Sequence, residues 1–370
     1  MKHYSDPWAQ PEALRGRSVL LAMSGGVDSS AAAVLLQRRG ARVLGMTMKN
    51  FCYSDVDADT NTSCCSVSHT LDARAVCEQL DIPHYVLDVT QAFGKAVMQR
   101  FVSEYEAGRT PNPCVDCNQT VRFPVLLQQA RTLGADLVAT GHYTRSVCDD
   151  EGRWFLRRGC DTSKDQSYFL HGVPQRCIAR SVFPLGALHK TEVRAVAREA
   201  GLRVASKSES QEICFVPDGE RRAFLQEHGN PQPGEVVDGE GTRLGTHDGI
   251  GNFTVGQRRG LNVAVGHPVY VQRIDAASNT VVLGDENALG CDAVQLEPSW
   301  LRGAPDPRTL HVQVRYRSRP VAVRSLRHDE GSTHVVFESP QRAVAPGQAA
   351  VLYDGDVVVG GGRIFNTASA

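Results

Sequence analysis

Apolar residues follow two rhythms along this chain. Up to about residue 210, short apolar runs alternate with stretches that are apolar on a helical period. Ser18–Ala22, Arg42–Met46, His84–Asp88 and Asp136–Thr140 are the runs, and each has the length of a strand. Ser29–Arg39, Thr70–Leu80, Phe93–Gly108 and Val121–Leu133 carry the helical period. Strands without a polar face, alternating with helices, predict right-handed crossovers and a parallel sheet covered on both faces. Ligands of such sheets sit beyond the carboxyl ends of the strands. The pattern therefore gathers the loop after Ala22, Met48-Lys49-Asn50 and Gly141-His142-Tyr143 at one edge. Thr191–Gly201 reads as a capped helix that stops at glycine.

The rhythm changes after residue 215. Asp218 to Gly266 is rich in turn residues, as in Pro231-Gln-Pro-Gly and Asp238-Gly-Glu-Gly. From Val269 onward short alternating runs dominate, among them His311-Val-Gln-Val-Arg-Tyr-Arg, His334-Val-Val-Phe and Ala350-Val-Leu-Tyr. Asp354-Gly355 between two such runs predicts a hairpin. The expected fold is mixed α/β: an N-terminal parallel-sheet domain over 1–215, a small β-rich central module over 216–285, and a C-terminal β-barrel over 286–370.

Composition narrows the class. The 370 residues are 41% hydrophobic and 22% charged, as expected of an ordinary globular protein. No apolar run approaches the length of a membrane span, and the first residues lack the apolar core of a signal peptide. A cytoplasmic location is expected, with no membrane partner. Thiols stay reduced in that compartment, so the eleven cysteines read as buried or chemical rather than as a disulfide framework. A net charge of −1 argues against a nonspecific nucleic-acid coat. It leaves room for a selective RNA enzyme with local patches such as Arg258-Arg259 and Arg315-Tyr316-Arg317.

Four motifs carry chemistry. The first is Ser24-Gly25-Gly26-Val27-Asp28-Ser29, between a predicted strand and a predicted helix. Glycines let backbone N–H groups close on phosphate oxygens, and the helix start adds its dipole. Ser24 and Ser29 offer hydroxyls, and Asp28 offers a carboxylate for Mg2+. The loop lacks the Gly-Lys-Ser/Thr ending of a Walker A motif and the glycine spacing of a dinucleotide fingerprint. The second is Thr110-Pro-Asn-Pro-Cys114-Val-Asp-Cys117-Asn118. Its prolines predict an extended loop that presents Cys117 just ahead of a helix whose start lowers a thiol pKa. Arg109, Asn112 and Asn118 are candidates to orient an oxygen-rich substrate. A single Cys-x-x-Cys is also compatible with half of a zinc, redox or iron–sulfur site. The third is Ser208-Glu-Ser-Gln-Glu-Ile-Cys214-Phe215, where polar residues crowd one side of a cysteine. The fourth is Asp161-Thr-Ser-Lys164-Asp165-Gln166-Ser-Tyr-Phe-Leu170, which combines groups suited to phosphate and base edges.

The first loop resembles the PP-loop of the ATP pyrophosphatases. Met48-Lys49-Asn50, Ala139-Thr-Gly-His-Tyr143, Val255-Gly-Gln-Arg-Arg-Gly-Leu261 and Pro346-Gly-Gln348 follow it together with the other three motifs. In that order they resemble the tRNA-specific 2-thiouridylases, from about residue 17 to 366. The resemblance implies ATP-dependent replacement of the 2-oxygen of the wobble uridine by sulfur. It assigns ATP, with Mg2+, to Ala22, Met23, Ser24, Gly25, Gly26, Val27, Asp28, Ser29, Met48 and Gly141. It makes Cys117 and Cys214 the catalytic thiols, with a persulfide on Cys214 and a Cys117–Cys214 disulfide at the end. It places Asn112, Pro113, Cys114 and His142 around the target base. Lys164, Asp165, Gln166, Arg315, Tyr316 and Gln348 would touch tRNA, and the central module would help to bind it. Its implied partners are tRNAs for Lys, Glu and Gln and a cysteine desulfurase or sulfur-relay protein as donor. One departure matters. Part of the family has an acid/base Asp where this chain has Cys114, and a thiol fills that role poorly. Three cysteines, Cys114, Cys117 and Cys214, are also the ligand number of a [4Fe–4S] cluster with one open iron. Persulfide and cluster chemistry both stay open at this point. Cys64 and Cys65 read as structural.

Overall fold

The computed structural model describes residues 3–51, 67–208, 213–216, 219–303 and 305–368. Cys64 and Cys65 lie outside them. The chain divides into two compact units. One holds Met1–Ala96, Cys114–Asp218 and Asp356–Val358; the other holds Val97–Pro113, Gly219–Gly355 and Val359–Ala370.

The first unit is built on a five-stranded parallel sheet, in the order His84–Asp88, Arg42–Lys49, Ser18–Ala22, Leu137–Ala139, Ser181–Val182. Ser18–Ala22 is central, and its residues alternate between two cores. Val19 and Leu21 pack with Ala31, Ala32 and Leu36 of helix Val27–Arg38 and with Val193 and Ala197 of helix Lys190–Glu199. Leu20 packs on the opposite face with Leu126 and Ala130 of helix Phe123–Thr132. Both faces are covered, which is why the strand reads as an unbroken apolar run. Truncating a fully buried leucine such as Leu20 costs about 2–5 kcal/mol. His84–Asp88 is the edge strand and leaves Tyr85 and Val86 exposed.

Two local expectations change. Thr144–Asp149 and Trp154–Arg158 form an antiparallel pair that the sequence pattern did not reveal, and Trp154–Arg158 also pairs with Val357 and Val358. The helix expected from Val121 begins at Pro113: α-helix Pro113–Asp116, a π-helical stretch Cys117–Arg122 and α-helix Phe123–Thr132 follow without a break. Pro113 is tolerated because the first helical N–H has no intrahelical partner to lose. Cys117 thus lies inside a helix and is 6% exposed, not displayed on an extended loop.

The second unit contains two β-structures. Arg243–His247, Gly234–Val237, Thr280–Gly284 and Tyr270–Asp275 form a four-stranded sheet around Val236, Val271, Val281 and Leu283. Gly290–Leu301, Ser332–Arg342, Val321–Asp329, Leu310–Gln313, Ala349–Asp354 and Val357–Ala368 pair in that order, and the last pairs back to the first and to Ala349–Asp354, closing a barrel. The hairpin expected at Asp354-Gly355 joins two of these strands, with Gly355 at φ 61°. Segment Val97–Pro113, read in the sequence as part of the first domain, groups with this unit.

Candidate active site

Strand Ser18–Ala22 runs into the glycine loop, and helix Val27–Arg38 leaves it. Gly25 sits at φ 70°, and a Cβ there would lie 2.1 Å from the His69 carbonyl oxygen. Only glycine fits that approach. The loop is tied by Ser29, whose Oγ accepts from Ser24 N at 3.2 Å and lies 3.2 Å from Ser24 Oγ. Gly26 caps the helix without a side chain, so no capping group competes for the first-turn N–H groups. Gly141 closes on the same turn: a Cβ there would be 2.8 Å from Ser29 N. Met48 lies in strand Arg42–Lys49 and packs against the Leu20 core. The structure thus brings Gly141 to the loop, as the strand-end argument expects.

Asp28 has company that the sequence did not announce. Lys190 Nζ donates to both of its carboxylate oxygens, at 2.7 and 2.9 Å, and Tyr143 OH donates to Oδ1 at 2.8 Å. The Lys190 side chain is 11% exposed, against 32% for Asp28. Lys190 is itself fixed at the start of its helix, where its N–H donates to Asp161 Oδ2 at 3.0 Å. A second lysine, Lys207, donates to Asp72 Oδ2 at 2.6 Å and to the Gly25 carbonyl at 3.5 Å. The loop's own sequence contains no cation; the fold delivers two.

His142 follows Gly141, with its Nδ1 2.8 Å from Thr140 Oγ1 and its ring 6.0 Å from that of Phe123. Burial, and secondarily the Arg122 guanidinium, push its pKa down to about 3. The neutral ring carries one N–H, so it remains a hydrogen-bond donor at one nitrogen and an acceptor at the other. The sign of the linkage follows. The unfolded chain takes up a proton below about pH 6.5 and the folded chain does not. His142 therefore leaves stability flat above that pH and erodes it as pH falls from 6.5 toward 3. In urea unfolding at pH 7.5 and pH 5, the parent is expected to lose more stability on acidification than His142→Phe; an equal loss would refute the neutral ring.

The cysteines occupy three environments: Cys114 exposed, Cys117 buried and Cys214 half-buried. Cys214 precedes Phe215, which is 7% exposed and seated edge-on against Phe93 at 5.6 Å. Among the described residues no group of three His, Cys, Asp or Glu side chains is placed to hold a metal ion.

Several polar residues singled out in the sequence act as staples. Asp165 pairs with Arg158 at 2.8 Å and also accepts from Gly159 N, Ser167 N and Ser167 Oγ. Gln166 Oε1 accepts from Tyr143 N at 3.0 Å, fixing the turn that carries His142. Lys164 is half-exposed beside them. Asn118 is 2% exposed and bonds Arg122 and the Phe169 carbonyl. Arg109 grips Glu104 with two bonds of 2.7 and 3.0 Å. Asn118 and Arg109 are thus committed to the fold, not aimed at a substrate. In the second unit, the Arg315 guanidinium donates to the carbonyls of Val255 and Ala343, and Gln313 Nε2 holds the Arg315 and Tyr316 carbonyls at 3.0 and 2.6 Å. Asn112 is half-exposed, Pro113 is buried, and Gln348 reaches Thr110 and Pro111.

Fold and loop together define a nucleotide-loop protein that carries a β-barrel module. Residues 17–218 match the model of the tRNA methyl transferase HUP domain, 222–285 that of the tRNA methyl transferase PRC-barrel domain and 294–364 that of the aminomethyltransferase beta-barrel domain. The chain is 46% identical over 366 residues to the tRNA-specific 2-thiouridylase MnmA of Geotalea uraniireducens (strain Rf4), covering 96% of this chain and 97% of that one. It is 46% identical over 355 residues to the protein of that name from Geobacter metallireducens, covering 94% and 96%. It is 44% identical over 357 residues to that of Acetivibrio thermocellus, covering 94% and 99%. The chain belongs to the tRNA-specific 2-thiouridylase (MnmA) family.

Proposed function

We propose that the protein is a tRNA sulfurtransferase that replaces the 2-oxygen of the wobble uridine with sulfur at the expense of ATP. The observation that carries this reading is the loop geometry, with Gly141, Tyr143 and Lys190 packed on Ser24–Ser29 in a chain of this family. A uracil oxygen is a poor leaving group. Attack of that oxygen on the α-phosphorus, with loss of pyrophosphate, makes it the oxygen of an AMP ester, which sulfur can displace.

Residues 22–29, Met48 and Gly141 would bind ATP. Asp28 is the carboxylate suited to Mg2+, which would neutralise phosphate charge. Lys190 would meet the departing pyrophosphate. A neutral His142 would donate to the base beside Asn112, Pro113 and Cys114. Cys214 would receive a sulfane sulfur from a cysteine desulfurase or relay protein. Cys117 thiolate then attacks Cys214 Sγ, breaking the persulfide S–S bond and forming a Cys117–Cys214 disulfide. The released sulfur reaches C2 either as hydrosulfide or already bonded to the base, and AMP leaves. Two electrons from a cellular thiol reductant restore both thiols. No step is assigned to an iron–sulfur cluster. Lys164, Asp165, Gln166, Arg315 and Tyr316 would line the tRNA side, partly by shaping the loops that meet it. The tRNAs for Lys, Glu and Gln are the proposed substrates. No described helix is long and apolar enough to cross a membrane.

Nucleoside mass spectrometry of tRNA from a strain lacking the gene tests the reading. 2-Thiouridine is expected to vanish and to return with the gene. Unchanged 2-thiouridine would overturn the assignment.

A further inference from the structure

Residues 109–112 form no regular secondary structure, yet they are held from several sides. Pro111 and Pro113 have no N–H, so the loop has few donors of its own and its carbonyls need outside partners. Thr110 N donates to the Pro346 carbonyl at 2.8 Å. Gln348 Nε2 donates to the Thr110 carbonyl at 2.9 Å and to the Pro111 carbonyl at 3.3 Å. Gly347 lies between these anchors at φ 91°, and a Cβ there would stand 2.7 Å from Thr110 N. The other side of the clamp is equally firm. Arg109 holds Glu104, whose side chain is 8% exposed and also lies 3.5 Å from Arg363.

Gln348 itself rests on a rigid support. Gly347 N donates to the Ile364 carbonyl, and Ile364 N donates to the Gln348 carbonyl, both at 2.8 Å. The amide orientation is fixed by its partners: turned over, Oε1 would face two carbonyl oxygens. The Nε2 group is then engaged by two adjacent backbone carbonyls of this chain.

We propose that Gln348 is a positioning residue that acts through the Thr110 and Pro111 carbonyls to fix Asn112 and Pro113, not a residue that holds tRNA. This rests on the reading that Asn112 and Pro113 adjoin the target base. The turn ahead of strand Ala349–Asp354 thereby sets the place of the base-holding loop. Misplacing a reacting group by about 1 Å costs about 100-fold in rate.

The test separates rate from affinity. Gln348→Met keeps the length and loses the donors. Gly347→Ala keeps the Gln348 amide and pushes a methyl into the Thr110 backbone. Single-turnover pyrophosphate release at saturating tRNA is measured beside the tRNA Kd from filter binding, with ATP binding as the check of folding. Both variants are expected to slow the saturated rate roughly 10- to 100-fold and to leave Kd within about three-fold. Should Gln348→Met fail to bind ATP, Gly347→Ala decides alone, and the converse holds. An unchanged saturated rate, whatever the Kd, overturns the proposal. A parent protein that releases no pyrophosphate with tRNA overturns the sulfurtransferase reading instead.

Discussion

Cys214→Ser is expected to leave tRNA without 2-thiouridine while pyrophosphate is still released once per tRNA. Serine keeps the size of the side chain but carries no sulfane sulfur. Adenylation draws on the loop Ser24–Ser29 and its cations, so the first half of the reaction survives. Cys117→Ser is expected to match it, because the persulfide S–S bond then has no attacking thiol. Loss of a reacting nucleophile costs on the order of 10,000-fold or more, well beyond any packing effect at a half-buried position. Cys114 supplies the comparison. It is exposed, and its proposed place is beside the target base with no part in sulfur transfer, so Cys114→Ser is expected to slow thiolation without abolishing it. A cluster chemistry predicts the opposite: all three serine variants inactive, and iron, sulfide and a visible absorption shoulder in protein purified without air. Full activity of either Cys117→Ser or Cys214→Ser would remove both residues' proposed roles.

The sequence pattern was most legible where burial is two-sided. Ser18–Ala22 appears at its expected bounds, because a run with no polar face has little alternative to a sheet interior; His84–Asp88 does so too, although as an edge strand with no buried residue. The pair Thr144–Asp149 and Trp154–Arg158 escaped notice because arginines and aspartates interrupt its apolar residues. Pro111 and Pro113 suggested a loop through Cys117. The same chemistry permits a helix to start at Pro113, and only packing chooses between them. Site residues divide similarly. Gly25 and Gly141 were legible because close backbone approach demands glycine. Asp165, Gln166 and Arg315 stand in motifs, but a polar side chain in a motif serves a ligand or a neighbouring loop with the same atoms. Lys190 gave no local signal at all: its partner lies 162 residues away, and a lysine at a helix start looks like any surface lysine.

Lys190→Met is expected to slow tRNA-dependent pyrophosphate release roughly 100- to 1,000-fold at saturating ATP, the range for loss of one preorganised group that stabilises developing charge. Pyrophosphate leaves with several negative charges, and Ser24–Ser29 contains no lysine to receive them. Lys190 brings that charge to within 2.7 Å of the loop on a side chain only 11% exposed, where the ammonium is poorly screened. A structural role must be separated from this one. Removing one partner of a partly buried ion pair leaves Asp28 with an uncompensated charge, and that alone destabilises the fold. Lys190→Met combined with Asp28→Asn relieves this cost, since the amide still accepts from Tyr143 at Oδ1. The double variant is therefore expected to recover thermal stability, while its rate stays low with both the cation and the carboxylate proposed for Mg2+ removed. Pyrophosphate, as product inhibitor, is expected to bind Lys190→Met at least ten-fold more weakly, with adenosine binding unchanged. Pyrophosphate inhibition of Lys190→Met as strong as that of the parent would reduce Lys190 to a structural partner of Asp28.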